Sequence, residues 1–512
     1  MPSEMERGSA STEAPSSVRP GRTEDWLWVL VFAAGVRVFF FASGTPFFTN
    51  LDEFLHYDVV QRYRLRQSLD VFAPPPMETR RLGLRYNSPE FTSPPSIARQ
   101  STPNWMNPRF EGSPEFEAAM RVAGGFTNHE ARSPPVYYAS LAAWQWAGER
   151  LGVAGLSLLY WLRLPHALGA MFLVWMAFRF TRTWFPSRPE TCWSVAILVA
   201  AMPQDVFYSL NPDVLSAVLY YAALHLLLTA SRRTPSPATA TAAGVLIAAA
   251  VLTKVINATL LVPMALATPA LLGFGRRAPE RGRAVHWASA AAMWLAAALP
   301  VAAWMIWNQR CVGDPTATLD RFRALGWTVQ PFREWFRHPL FTLEGAVYFL
   351  SRLTETFWRG ELIWLQETVR HRWMDGFFAA SSALFVATAA GAAALRFLRP
   401  KSRTDEPWGM MGAVVAASVA ALALASVRFD FGDCFYPSRE APYIVSGRLI
   451  FGASLPFAIL YVEGVRLWLA WLRVPTTSVV VVSVVAVAVT LVEIAISAPM
   501  FASPFNWFAV WP

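Results

Sequence analysis

Eleven apolar runs punctuate the sequence, at 26–44, 163–180, 191–210, 212–230, 239–254, 256–273, 287–307, 376–396, 408–427, 448–466 and 476–497. The hydrocarbon core of a bilayer is about 30 Å thick and a helix rises about 1.5 Å per residue, so runs near this length are what spans it. Inside lipid each backbone N–H and C=O must bond within its own segment, and an isolated run achieves that only as a helix. The sequence therefore predicts an all-α integral membrane protein with about eleven transmembrane helices. The runs 239–254 and 256–273 are both short and read as a tight hairpin. Composition agrees: of 512 residues 54% are hydrophobic and 15% charged, against about 25% charged in soluble domains. That argues against a soluble enzyme.

The net charge of +9, from 44 Lys+Arg against 35 Asp+Glu, would suit a nucleic-acid partner in a soluble chain. In a membrane protein the placement of basic residues matters more than their sum. With residues 1–25, a polar and disordered tail, placed inside, every basic short loop falls on the same side: 179–190, 231–238, 275–286, 396–406 and 466–473. The positive-inside rule thus predicts a bacterial inner membrane protein with a cytoplasmic N-terminus, a body over 26–497 and a periplasmic C-terminal tail over 498–512. The charge reports orientation, and no nucleic-acid partner is expected.

The loops left outside are large: 45–162, 308–375 and 428–447. Nine prolines between 74 and 114 bar long helices and central strands from the first of them. Its apolar stretch Pro134 to Gly148 is too short to span and reads as a juxtamembrane helix, with Tyr137, Tyr138, Trp144 and Trp146 at headgroup level. In 340–358, Leu343, Val347, Leu350, Leu353 and Phe357 recur at helical spacing, as in an interfacial amphipathic helix. Cys311 and Cys434 both fall outside, where a disulfide is chemically permitted; Cys192 lies near the inner side.

Ionisable residues in or at the ends of spans are costly and so mark candidate sites. In this orientation Arg37, His166, Asp205, Lys254, Arg448 and Glu493 all lie toward the outer side, and Lys254 is one of only two lysines in the chain. Snorkelling to water is the plain alternative for each one. The densest feature is Asn50-Leu51-Asp52-Glu53-Phe54-Leu55-His56-Tyr57-Asp58, directly after the first span. On a helix Asp52, His56 and Tyr63 share a face and Glu53 and Tyr57 the next. A carboxylate there suits a general base acting on a hydroxyl from the periplasm; a helix cap beside a solvated acidic pair fits the same residues. A metal site at Glu53-x-x-His56 is the weaker reading, because no second such motif completes it.

The pair Asp52-Glu53 with His56, the segment Ser133-Pro134-Pro135 with Tyr137 and Tyr138, the run Pro203-Gln204 to Asn211-Pro212-Asp213, Thr253-Lys254 and Gly447-Arg448 together resemble the GT-C superfamily. These are multi-spanning glycosyltransferases that use polyprenyl-phosphate sugars. The likeness is closest to the protein O-mannosyltransferase and aminoarabinose transferase type and to a bacterial branch with Asp-Glu-x-x-His. The resemblance implies Asp52 as catalytic base supported by Glu53, His56 or Asp213. It implies Lys254 and Arg448, with Arg37, as cations on the donor phosphate, and a cavity reached by Tyr137, Tyr138, Asp205 and Asn211. Two positions depart from the pattern: Leu449 stands where an aromatic follows Gly-Arg, and Ser133 where a His precedes Pro-Pro.

The implied reaction is transfer of a sugar, with inversion, from a polyprenyl-phosphate donor to a glycan, lipid or protein acceptor at the outer face of the bilayer. No organic cofactor is implied, and a divalent metal is compatible. The competing class is a multi-spanning transporter or flippase of a lipid-linked or envelope glycan component, which usually shows repeated halves and a midplane site. A third reading is a non-catalytic scaffold with the same fold.

Overall fold

The computed structural model describes residues 21–232, 236–274, 280–398, 406–434 and 436–510. The expected tail over 1–25 falls almost wholly outside the described residues, as do the arginines 276 and 277 of one basic loop and the basic residues 399, 401 and 403 of another. Among the described residues the regular structure is helical, apart from two small antiparallel pairings, Thr328–Val329 with Phe429–Asp430 and Ile363–Trp364 with Glu367–Thr368. The first of these ties the second large outer loop to the third.

Among the described residues eight helices are long and apolar enough to cross a membrane: Asp25–Gly44, Gly155–Trp184, Asp213–Arg232, Arg283–Val312, Arg372–Leu395, Trp408–Arg428, Gly447–Leu472 and Ser478–Phe501. Three shorter apolar helices, Pro189–Ala201, Pro237–Val251 and Val255–Leu271, lie on the other three expected runs. By length alone eleven is not reached. The reason is local. Met202-Pro203 closes the first of these, since a residue before proline is driven out of helical geometry. The Thr253-Lys254 break divides the other two, and Lys254 is extended, at φ −156° and ψ 123°.

Gly447–Leu472 is the central helix: 89% of its apolar window is buried, against 22% in Arg372–Leu395 and in Ser478–Phe501, which present most of their surface to lipid. Pro189–Ala201, Arg372–Leu395, Trp408–Arg428 and Ser478–Phe501 pack around it, and its own Leu455, Ala458, Ile459 and Val462 are fully enclosed. Arg188, Glu406, Glu463 and Arg466 interlock at 2.6–3.1 Å, about 27 Å along this helix from Arg448. Polar clusters thus cap both ends of an apolar bundle.

The outer segments follow the proline pattern, with no helix between residues 70 and 133 exceeding ten residues. The stretch after Pro134 is the helix Pro135–Arg150. One expectation about it is corrected: Tyr137 and Tyr138 are 4% and 0% exposed and face protein rather than headgroups. Gln145 explains the orientation, because it hydrogen-bonds Gln61 at 2.7 Å and so turns that face onto the helix Glu53–Leu65. Trp144 stacks on Trp161, and Trp146 points outward. The amphipathic helix forms as Leu343–Arg359; Leu343, Val347 and Leu350 are exposed, and Leu353 and Phe357 are buried against the bundle. Residues beyond Phe501 fold back, with Ser503 on Glu90 at 2.5 Å and Trp507 against Tyr160. The three cysteines are free thiols.

Candidate active site

Five charged residues from five separate segments meet at one end of the bundle. Asp52 occupies the turn between the first membrane helix and Glu53–Leu65 in the left-handed conformation, φ 62°, and its side chain makes no cap bond to that helix. The carboxylate is therefore free to turn outward, where Arg448 Nη2 donates to it at 3.0 Å. Asp213 opens its helix, its N–H held by Asn211 Oδ1 at 3.0 Å, and its carboxylate contacts Lys254 Nζ. Arg448 lies 3.9 Å from Asp213 and 3.5 Å from Glu361. Lys254 and Arg448 are thus brought together, as the sequence predicts for a phosphate site.

Two glycines make this convergence possible. Gly447 sits so close to the amphipathic helix that a Cβ would stand 2.2 Å from the Phe357 nitrogen. Gly360, which ends that helix at φ +85°, leaves no room for a Cβ against Asp205. A left-handed, crowded position of this kind is open to glycine alone. It lets the next residue, Glu361, swing under Arg448.

Glu361 is the residue the sequence reading missed. Its N–H donates to Asp205 Oδ2 at 2.5 Å, one carboxylate oxygen accepts from Tyr436 at 3.1 Å and the other from Ser446. Asn50 bonds the carbonyl of Glu361 and the N–H of Ile363, fixing this segment beside Asp52. The available signal was a carboxylate directly after the glycine that stops an amphipathic helix. The loop 428–447 contributes Tyr436 and Ser446, whereas its Asp430 and Arg439 pair with each other at the surface.

On the far side of Asp52, His56 is 2.9 Å from the Tyr138 hydroxyl. Burial pushes His56 down to about 4, against the pull of Glu130 and Asp52. Glu130 bonds Arg321 at 2.5 Å and the Ser133 hydroxyl. Burial opposes its ionisation, yet Arg321 and the two histidines hold it well below the usual carboxylate range. Burial also works against ionisation of Asp52, and Arg448 with His56 and His129 outweighs it, so this carboxyl too titrates below its ordinary value. At neutral pH Asp52 and Glu130 are therefore ionised and His56 is neutral.

Other expected members lie elsewhere. Glu53 turns inward, where Arg163 clasps both its oxygens at 2.8 and 2.7 Å and the N–H groups of Thr49 and Leu210 complete its shell. Arg37 is not in the cluster: it pairs with Glu493 and donates to the carbonyls of Ala200 and Met202, closing the end of the short helix Pro189–Ala201. Asn211 caps, Tyr137 packs beside His166, and Asp205 touches the cluster only through the backbone of Glu361. Among the described residues no three His, Cys, Asp or Glu side chains are placed to hold a metal ion. Asp52 and Asp213 are turned onto Arg448 and Lys254.

An apolar groove of about 360 Å³ runs between the amphipathic helix and the bundle, lined by Leu353, Phe357, Val386, Val419, Ile450 and Phe457. Ile450 is two positions from Arg448.

No family model and no curated protein matches the chain. Among solved structures it is similar to the oligosaccharyltransferase of Archaeoglobus fulgidus, crystallised with zinc and sulfate, at 13% identity and a TM-score of 0.41, over 92% of this chain and 53% of that one. The chain thus spans about half the length of that protein.

Proposed function

We propose that the chain is a membrane glycosyltransferase that moves a sugar from a polyprenyl-phosphate donor to an acceptor hydroxyl on the outer side, with inversion. The observation that carries this reading is the meeting of Asp52, Asp213, Lys254 and Arg448, with Arg448 two positions from Ile450 in the lining of an apolar groove. A base, two cations and a lipid-compatible slot are the three things the reaction needs in one place.

Asp52 is the general base. It is ionised, and its side chain is 30% accessible, enough for an acceptor hydroxyl to reach it. As the acceptor oxygen attacks the anomeric carbon, its proton passes to the Asp52 carboxylate. The bond from that carbon to the phosphate oxygen breaks, and negative charge gathers on the departing polyprenyl phosphate. Lys254 and Arg448 oppose that charge. The Nε of Arg448 faces a Glu361 oxygen at 3.5 Å as an ion pair without a hydrogen bond. A planar guanidinium forks onto phosphate oxygens and an ammonium adds a compact charge, so the two are complementary. One displacement gives inversion. The prenyl chain would lie in the groove beside Ile450, keeping the lipid in the bilayer while its head reacts outside. Asp213 and Glu361 position the cations.

The intramembrane pair of Arg37 and Glu493, which would favour a transporter, is spent on closing a helix end. The test is purified protein in nanodiscs incubated with a panel of radiolabelled polyprenyl-phosphate sugars. Release of polyprenyl phosphate with sugar recovered on acceptor supports the enzyme; no turnover of any donor, with vectorial movement of a lipid-linked sugar instead, overturns it.

A further inference from the structure

A second, larger cavity lies away from the charge cluster, in the first outer loop. It holds about 700 Å³ between the end of Glu53–Leu65, the helix Met77–Tyr86 and the turn at Gly155. That volume is in the usual range for small-molecule sites. Its polar lining is Gln67, Glu78, Arg81, Arg85 and Glu111, over an apolar floor that includes Leu65, Met77 and Leu82.

Two guanidiniums and two carboxylates line the cavity, so the charges cancel and neither an anion nor a cation is selected. The donors outnumber what the protein uses: one carboxylate, Glu111, is shared by Arg85 at 2.7 Å and Arg81 at 3.8 Å, and the two arginine side chains remain 43% and 54% exposed. Guanidiniums only donate and carboxylates only accept. A ligand that meets both, over an apolar floor, carries groups that donate and accept together, which is the chemistry of a neutral polyhydroxylated chain.

We propose that this cavity binds a neutral oligosaccharide stretch of the acceptor, remote from the hydroxyl that reacts. The proposal rests on the glycosyltransferase reading. Asp52 precedes the thirteen-residue helix Glu53–Leu65 and the cavity opens at its other end, about 20 Å away. One rigid helix therefore sets the register between the bound glycan and the base, and binding energy from that remote contact supports transfer at the far end.

The test is saturation-transfer NMR on full-length protein in nanodiscs with short gluco- and manno-oligosaccharides, oligouronates and chitosan oligomers. Neutral oligosaccharides should bind the native chain and the D52N variant alike, and Arg81→Ala, Glu111→Gln and Gln67→Ala should each weaken binding by about tenfold or more at an unchanged melting midpoint. Absent binding of neutral oligosaccharides, undiminished binding in all three variants, or a preference for the uronates or chitosans overturns it. Binding without sugar transfer from any donor removes the enzyme reading and keeps this site; Asp52-dependent transfer without such binding removes this site alone.

Discussion

The guanidinium of Arg448 donates to the carboxylate of Asp52 at 3.0 Å across 396 positions of sequence. Under the proposed reaction the base and the phosphate-binding cation would hold each other until a donor arrives, and a phosphate that takes Arg448 would release Asp52.

Removing the carboxylate's charge at Asp52 should abolish transfer while leaving the fold intact. General-base catalysis contributes about 10²- to 10⁴-fold, so Asp52→Asn should lower kcat by that order with donor binding retained. Turnover within a few-fold of the native chain would remove Asp52 from its role.

The two cations are not interchangeable. Arg448→Lys keeps the charge and loses the fork, so it should lower kcat more than Lys254→Arg does. Lys254→Ala should raise the KM for donor. Donor dependence unchanged in Lys254→Ala, measured at fixed acceptor, would take that residue out of the site.

Glu53 makes a structural prediction. Its ion pair with Arg163 is enclosed, with side chains 0% and 2% exposed, and breaking such a pair leaves a buried charge at a cost of about 3–5 kcal/mol. Glu53→Gln should therefore lower the melting midpoint far more than Asp52→Asn does. A midpoint equal to that of the native chain would show that the carboxylate is dispensable to the fold.

The pH dependence follows from direction. His56 titrates at about 4 in the fold against an ordinary 6.5, so between those values the unfolded chain binds the extra proton and stability falls as pH drops. His129 and His338, also pushed down chiefly by burial, act in the same sense. Asp52, lowered from 3.8, adds its loss below that value. His56 should accordingly contribute no titration to transfer near 6.5, and His56→Gln should flatten the decline of the melting midpoint over that interval. A step in kcat at pH 6.5 that vanishes in His56→Gln would contradict the neutral assignment.

Hydropathy is a local property, and what depends on it was legible. A run of apolar residues must become a helix in lipid whatever its neighbours do, so each expected run carries an apolar helix, the amphipathic segment 340–358 forms, and the prolines of 74–114 keep the first outer loop irregular. Lys254 and Arg448 were legible for the same reason, because a charge at the end of an apolar run is conspicuous by its cost. Pairing is not local. Asp52 and Glu53 are adjacent and alike in sequence, yet one faces Arg448 outside and the other Arg163 within, because a left-handed residue at the helix start aims the two carboxylates apart. Glu361 reaches the site through glycines at 360 and 447 that allow two backbones to touch, and Arg37 is withdrawn from it by the carbonyls of a helix too short to close itself. The sequence by itself determined the class and the candidate charges; only the tertiary structure decided which charges meet, since that depends on the closure of segments hundreds of residues apart.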